Sequence, residues 1–176
     1  MACDEELPVI RPRREGDMAA CASIARELRD VDGYPAFLPD DDFGAFLAPE
    51  NALGAWVALL AGDVVGHVAI RSSSAPSATE LITDKLGLDA SRVAFVSRLM
   101  VVPRARRQGI ARSLLETAAQ DIRGRGLVAV LDVLVRDAAA IALYEAAGWT
   151  RLGETRFTSR RTGQVFDEVV FLAPGG

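Results

Sequence analysis

Three arginines lie within four consecutive residues of a chain whose overall charge is negative. Residues 103–111 read PRARRQGIA, and the whole sequence has a formal net charge of -4. Apolar residues then recur four apart, at Ile110, Leu114, Ala118 and Ile122, which predicts an amphipathic helix over 110–123. Because the first turn of a helix has free N–H groups and a positive dipole end, it binds anions. We therefore expect a phosphate- or pyrophosphate-binding loop at this position.

The arginine-rich loop differs from the two common nucleotide-binding loops. It lacks the G-x-x-x-x-G-K-[ST] pattern of a P-loop. It also lacks the G-x-G-x-x-G turn of a Rossmann dinucleotide site. Gly109 and Ala111 are small, so an anion could approach the backbone closely. The alternative is a solvated basic loop without a ligand, which would suit any one of these arginines taken alone.

The segments on either side of the loop predict a strand, a helix and a second strand. We expect strands over 93–102 and 128–135, and Pro103 ends the first because proline lacks the N–H that a strand needs. The second strand is apolar apart from Asp132, which is typical of a strand buried on both faces. A helical crossover makes the two strands parallel, with right-handed chirality.

The remaining segments predict antiparallel strands and further helices. The predicted strands lie at 7–14, 55–60, 64–71, 150–158 and 164–172. The predicted helices lie at 18–31, 41–47, 80–86 and 138–147, and Asp17, Asp40 and Asp137 serve as N-caps. We expect a single domain over 1–176, with its core over 7–173. The fold class is α/β (α+β), a mixed, mostly antiparallel sheet with one parallel βαβ pair and helices on both faces.

Composition limits the protein's class and partners. The chain has 176 residues, of which 50% are hydrophobic, so it can form a real core. The weakly acidic charge argues against nucleic acid or an anionic membrane as the main partner. No apolar run is long enough to span a membrane, and the N-terminus lacks the pattern of a signal peptide. Two cysteines, Cys3 and Cys21, suggest no disulfide framework and no metal site, so we expect a cytoplasmic protein.

Two motifs resemble those of the GCN5-related N-acetyltransferases, the GNAT family. The family's [Q/R]-x-x-G-x-[G/A] motif, which binds the pyrophosphate of acetyl-CoA, is represented here by RRQGIA at 106–111. Residues 137–149 read DAAAIALYEAAGW, which is similar to the family's N-x-x-A-x-x-x-Y-x-x-x-G-[FW]. Asp137 replaces the usual Asn, a change that suits a helix cap but not an amide donor. The resemblance is strongest over 96–149. It implies a GNAT-like acyl-CoA N-acyltransferase fold and transfer of an acetyl group to an amine.

The resemblance also implies how acetyl-CoA would be held. The main chain of Leu99, Met100 and Val101 would bind the pantetheine like an added strand, where the two parallel strands splay apart. A backbone N–H of this strand would stabilise the oxyanion. The pyrophosphate would be bound by Arg106, Arg107, Gln108, Gly109, Ile110 and Ala111. Ser113 could reach a phosphate, or it could be an ordinary serine of the first helical turn.

The resemblance assigns the general acid to Tyr144. A phenol with a pKa of ~10 stays protonated at neutral pH and can donate to the departing thiolate. The alternative is a core tyrosine, since Ile141 and Ala147 share its helical face, and Tyr34 is a rival phenol. No cysteine is suited to carry the acyl group, so we expect direct attack by the amine in a ternary complex.

The sequence leaves the general base open. Many relatives have a glutamate on the strand before the loop, where this chain has Val-Ser-Arg at 96–98. His67, the one histidine, has a suitable pKa, although a lone histidine in a strand is more often simply packed. Asp132, a charge in an apolar strand, is either a base or a structural partner of Arg98. Glu80 and a chain of water molecules are further candidates.

The resemblance places acceptor selection in segments 31–50 and 72–92. A cationic amine could be framed by Tyr34, Phe37, Phe43 and Phe46 with Asp40, Asp41 and Asp42. The alternative is an acidic helix start with four core aromatic residues. The sequence does not specify which small-molecule or peptide amine is the acceptor, or which acyl chain is preferred.

Two other functions remain open at the level of sequence. One is a non-catalytic acyl-CoA-binding sensor or interaction module of the same fold, because the strand glutamate is missing. The other is a nucleotide-binding regulator. The sequence does not settle the oligomeric state, although an edge strand near the C-terminus could pair with a second copy to form a homodimer.

Overall fold

The computed structural model describes residues 7–36, 38, 42–159 and 162–175. Seven strands form one sheet in the order β1-β2-β3-β4-β5-β7-β6. The strands are β1 Val9–Pro12, β2 Ala52–Leu60, β3 Asp63–Arg71, β4 Val93–Val101, β5 Val128–Leu134, β6 Thr150–Thr158 and β7 Val165–Leu172. The α-helices of the described residues are α1 Met18–Asp32, α2 Phe43–Leu47, α3 Pro76–Leu86, α4 Ile110–Gly124 and α5 Ala138–Ala146.

The pairing of the strands confirms the predicted fold class. β4 and β5 are parallel and are connected through α4, as the strand-helix-strand pattern predicts. The pairs β1–β2, β5–β7 and β6–β7 are antiparallel. The parallel ladder joins Val93–Phe95 to Val128–Val130, and both strands continue beyond it.

Contacts within the chain define two compact units, each built from two separate stretches of sequence. The first unit comprises the described residues up to Ala69 together with Arg98–Ala118. The second unit comprises Ile70–Ser97 together with the described residues from Ala119 onward. The single domain expected from the sequence stays a prediction.

The first unit buries one face of α1 and holds a tight hairpin. The buried residues of α1 are Cys21, Ile24, Ala25 and Leu28, at the helical spacing seen in the sequence. Ala61 and Gly62 connect β2 to β3, and both have positive φ, of 51° and 84°. Positive φ at both central residues is the requirement of a two-residue turn that matches the twist of the paired strands.

The second unit has its core between α3 and the strands β4, β5 and β7. The buried residues of this cluster are Ala78, Ile82, Val93, Phe95, Val130 and Val170. Leu81 of α3 lies so close to β6 that a Cβ at Gly153 would be 3.3 Å from its Cδ2. These contacts hold α3 against the sheet.

Two predicted helix starts are wrong in position. α3 begins at Pro76 rather than at Glu80, and proline is favoured there because the first helical N–H needs no partner. α2 begins at Phe43, and its N-cap Asp42 accepts a hydrogen bond from the N–H of Ala45 at 3.0 Å. The predicted cap Asp40 lies outside the described residues.

Two predicted N-caps have the right position but not the predicted hydrogen bond. The Asp17 carboxylate accepts from the backbone N–H of Arg14 at 2.7 Å and from the Arg11 guanidinium at 2.7 and 2.8 Å. These partners precede α1, so the carboxylate does not cap that helix. Asp137 occupies the N-cap position of α5, and its side chain makes no cap hydrogen bond.

No helix in the described part of the chain is long and apolar enough to cross a membrane.

Candidate cofactor and catalytic site

A break in β4 lies immediately before the predicted pantetheine-binding residues. Arg98 has a φ of 51°, which a regular strand does not allow, so the pleat is interrupted there. Its carbonyl oxygen accepts from Nδ1 of His67 at 2.9 Å. Its guanidinium lies 4.8 Å from the centre of the Phe46 ring, and Nε donates to the Phe46 carbonyl at 2.9 Å. Three contacts therefore hold a residue in a conformation that its own side chain disfavours.

The arginine-rich loop turns sharply into α4. Pro103–Ala105 form one turn of 3-10 helix, and Arg107 and Gly109 then have positive φ of 61° and 77°. The Gly109 carbonyl accepts from the N–H of Ser113 at 3.0 Å, so it begins the hydrogen-bond ladder of α4. The preceding N–H groups of the first turn have no partner within the helix and are available to an anion. Residues 106–109 are exposed, whereas Ile110 is only 1% exposed and anchors the loop.

Gly66 of β3 allows the start of α4 to pack closely. A Cβ at this position would lie 2.9 Å from Cδ1 of Leu114, 3.1 Å from the Met100 carbonyl oxygen and 3.3 Å from Cγ2 of Ile110. A side chain here would therefore force the end of Leu114 to shift and would crowd the Met100 carbonyl. Gly66 therefore allows the first turns of α4, which follow the arginine-rich loop, to pack closely on β3. The sequence signal was a glycine inside an apolar strand, which marks a bulge or a close approach.

Arg106 is already oriented within the first unit. Its guanidinium forms an ion pair with Asp32 at the end of α1, and Nε lies 3.4 Å from the Val101 carbonyl oxygen. Both charged side chains are more than one third exposed, so this pair contributes little to stability. Its effect is to hold one positive charge beside the loop.

The strand residues 99–101 have mostly buried side chains, as expected for core positions. Met100 is 2% exposed and Val101 7% exposed, whereas Leu99 is half-buried. The next residue, Val102, donates from its N–H to the Val65 carbonyl of β3 at 2.9 Å. The predicted binding of pantetheine by the main chain of 99–101 stays a prediction, as does the role of Ser113.

The geometry of His67 does not favour the predicted role as a base. The side chain is fully buried, with 0% exposure. Nδ1 donates to the Arg98 carbonyl, so Nε2 is left as the acceptor for the Arg13 guanidinium, 3.0 Å away. Burial lowers the pKa of His67 to about 4, and the nearby Arg13 and Arg98 charges add to this effect. The ring is neutral, and both of its nitrogens are hydrogen-bonded, so we assign His67 no proton transfer. Its structural role is to connect β3 to the break in β4.

Tyr144 is a buried residue of the second unit. Its ring centre lies 5.8 Å from that of Phe171 and 6.3 Å from that of Trp149. The N–H of Trp149 donates to the Tyr144 carbonyl at 3.0 Å. The tryptophan that ends the second sequence motif thus contacts both the ring and the main chain of Tyr144. Its role as the general acid stays a prediction.

A polar cluster of the second unit was only partly visible in the sequence. Its members are Arg71, Ser74, Ser97, Asp132 and Glu168. Arg71 donates to Ser97 Oγ at 3.0 Å and to Ser74 Oγ at 3.3 Å, and Ser74 donates to the Asp132 carboxylate. The sequence predicts that Asp132, a charge in an apolar strand, needs a partner, and Ser74 is one such partner. The predicted pair between Asp132 and Arg98 stays a prediction.

Three aromatic residues of the predicted acceptor segment, Tyr34, Phe43 and Phe46, pack against other side chains. The rings of Tyr34 and Phe46 meet edge to face at 6.1 Å. The Arg26 guanidinium lies 4.9 Å from the centre of the Phe43 ring. These contacts favour the alternative of core aromatic residues. The other members of the predicted set, Phe37, Asp40 and Asp41, lie outside the described residues, and Glu80 is exposed on α3.

Within the described ranges, no three His, Cys, Asp or Glu side chains are grouped closely enough to hold a metal ion.

Comparison with known proteins identifies the family. The model of the acetyltransferase (GNAT) family matches residues 19–149, which include both sequence motifs. The chain belongs to this family. It is therefore an N-acetyltransferase, and acetyl-CoA is its acyl donor.

Individual relatives agree with this assignment. The chain is 29% identical over 160 residues to an aminoglycoside N(6')-acetyltransferase type 1 of Klebsiella aerogenes, covering 86% of this chain and 95% of that protein. The ribosomal-protein-S18-alanine N-acetyltransferase of Escherichia coli has a similar structure, with a TM-score of 0.65, 22% identity and coverage of 96% and 94%. Arabidopsis thaliana NAA60 in complex with acetyl-CoA gives a TM-score of 0.69, 19% identity and coverage of 94% and 97%. The two structural likenesses show the fold.

Proposed function

We propose that this GNAT protein transfers an acetyl group from acetyl-CoA to a primary amine of a small molecule or peptide, by direct attack in a ternary complex. The observation that carries the proposal is the arginine-rich loop, whose left-handed residues Arg107 and Gly109 lead into the unpaired N–H groups of α4. The family match supports the donor, and no cysteine in the described part of the chain is suited to carry the acyl group. Cys21 is buried, and burial raises the pKa of its thiol to about 11.

The loop would hold the donor in one register. The pyrophosphate would accept hydrogen bonds from the first-turn N–H groups of α4 and from the exposed side chains of 106–108. The pantetheine would lie along 99–101, beyond the break at Arg98. Fixing the thioester in this way converts a collision between two molecules into a reaction within one complex.

The chemical step needs one proton donor and one proton acceptor. The amine nitrogen attacks the thioester carbon, the C–S bond breaks, and the amide forms. Tyr144 would give its proton to the departing thiolate, while a backbone N–H of β4 would stabilise the oxyanion. The proton of the attacking amine would leave through a chain of water molecules.

The test is the release of coenzyme A thiol from acetyl-CoA in the presence of different amines. The panel contains aminoglycosides and peptides with an N-terminal alanine, because those acceptors appear in the names of the relatives. We expect turnover with at least one of them. Tight binding of acetyl-CoA without turnover on any amine would instead favour the non-catalytic sensor.

A further inference from the structure

Glu168 of β7 is a buried carboxylate with an oxygen that has no partner. Its side chain belongs to a residue that is only 7% exposed, in a strand that is otherwise largely apolar. Oε2 of Glu168 and Oγ of Ser77 are the two buried side-chain polar atoms without a hydrogen-bond partner in the described part of the chain. Leaving a charged or polar atom buried in this way is costly, so such an atom calls for an explanation.

The strand register places Asp132 on the same face as Glu168. Glu168 lies opposite Leu134 of β5 and opposite Thr155 of β6. Because opposed residues of an antiparallel pair share a face, and alternate residues do too, Asp132 and Leu134 point to the side of Glu168. The same face carries the apolar contacts of α3 through Val170. The two carboxylates therefore lie where the apolar core under α3 gives way to polar residues.

The polar cluster is partly exposed to solvent at Asp132 and buried at Glu168. Asp132, Ser74, Ser97 and Arg71 are only partly buried. The described hydrogen bonds of the Arg71 guanidinium go to the two serines rather than to Oε2. A cationic group could therefore enter past Asp132 and reach Glu168.

The charges of the cluster favour a cation. Burial and then the Asp132 charge raise the pKa of Glu168 to about 8, and Arg71 opposes this effect. Near neutral pH Glu168 therefore holds a proton, and an entering cation would replace it. Among the described residues, the two charged groups that act on Glu168 are Asp132 of β5 and Arg71 of β3.

We propose that Glu168 Oε2 accepts a hydrogen bond from an ammonium group of the acceptor, with Asp132 as the second carboxylate. This proposal rests on the proposed acetyl transfer. The attacking amine must be neutral, whereas an amine held by two carboxylates is favoured as a cation. The bound ammonium is therefore a second amino group, and the preferred acceptors carry at least two.

The experiment compares putrescine with butylamine, which has the same carbon chain and a single amino group. Initial rates with acetyl-CoA are measured for the wild type, for Glu168→Gln and for the control Glu154→Gln, whose side chain is 64% exposed on β6. We expect wild-type kcat/KM to be roughly tenfold or more higher for putrescine. Glu168→Gln should remove this preference through KM and leave the affinity for acetyl-CoA unchanged, and the control should behave as wild type.

A second readout separates recognition from a structural role. The KM of the wild type for putrescine should fall as the pH rises toward about 8, because Glu168 then gives up its proton more easily. The fall should be smaller for Glu168→Gln, in which only the ionisation of the attacking amine contributes. An unchanged preference or an unchanged pH profile in this variant overturns the proposal. Acetylation of other amines with no preference for putrescine also overturns it and leaves acetyl transfer standing, whereas the absence of turnover on every amine overturns both.

Discussion

Glu168→Gln should stabilise the protein at alkaline pH. The folded protein holds the pKa of this carboxyl at about 8, whereas its ordinary value is 4.5. Between these two values the folded state binds one more proton than the unfolded state. Stability therefore decreases as the pH rises through this window, and the loss is complete above the folded-state pKa. Glutamine has nearly the same shape and never ionises, so the variant avoids the loss.

The size of the effect follows from the displacement of the pKa. Each pH unit by which a pKa is displaced corresponds to ~1.4 kcal/mol. A shift of the Glu168 pKa from 4.5 to about 8 therefore changes the free energy of unfolding by at most about 5 kcal/mol. Asp132 beside it is only partly buried, so water screens the pair and reduces this figure. We expect the variant to be more stable than the wild type by about 2 kcal/mol above pH ~8 and nearly equal to it at pH ~5.

The assay is urea denaturation of wild type, Glu168→Gln and Glu154→Gln at several pH values across this window. The free energy of unfolding should diverge between wild type and Glu168→Gln as the pH rises, while Glu154→Gln follows the wild type. Asp132→Asn should lower the folded-state pKa of Glu168 and so reduce the divergence, because the Asp132 charge contributes to it. Parallel pH profiles for wild type and Glu168→Gln would refute the reasoning.

Three further experiments test the packing at Gly66, the protonation state of His67 and the role of Tyr144 as the general acid. Gly66→Ala should cost about 1–3 kcal/mol in urea denaturation, because its methyl would meet a leucine methyl at 2.9 Å, whereas Gly124→Ala, with nothing within 4 Å, should cost nothing. The ring nitrogens of His67 should report a neutral Nδ1–H form by NMR at pH ~5.5, since its pKa is about 4, and a protonated ring would contradict the hydrogen bonds described. Tyr144→Phe should lower kcat by about 10- to 100-fold without weakening acetyl-CoA binding, whereas Tyr34→Phe should leave kcat unchanged. Equal rates for the two variants would show that Tyr144 is not the general acid.

Much of the fold could be predicted because its patterns are local. The four-residue apolar spacing of α4 and the apolar run of β5 identify the parallel unit, and the structure confirms it. The hairpin of β2 and β3 follows from the turn residues at 61–63. The start of α3 was missed because residues 72–77 are small and polar, and only Pro76 marked the first turn.

The features around the candidate site depend on contacts between distant residues. The positive φ of Arg98 is held by His67 and Phe46, which are far away in sequence, so no local pattern predicts it. The acidic pair Asp167 and Glu168 illustrates the same limit. Asp167 is exposed beside Arg156, whereas its neighbour is buried, and only the register of β7 decides which acid faces inward.

The central claim is that the diphosphate of acetyl-CoA binds to the loop before α4, and calorimetric titration tests it most directly. Gly109→Glu places a negative charge and a strained side chain in that loop, since Gly109 has a φ of 77°. Gly163→Glu is the matched control, because Gly163 has a similar φ of 70° and lies in the turn between β6 and β7. We predict that wild type and control bind acetyl-CoA alike and that Gly109→Glu loses roughly tenfold or more in affinity. Equal affinity of all three proteins, or no binding by the wild type, would contradict the account.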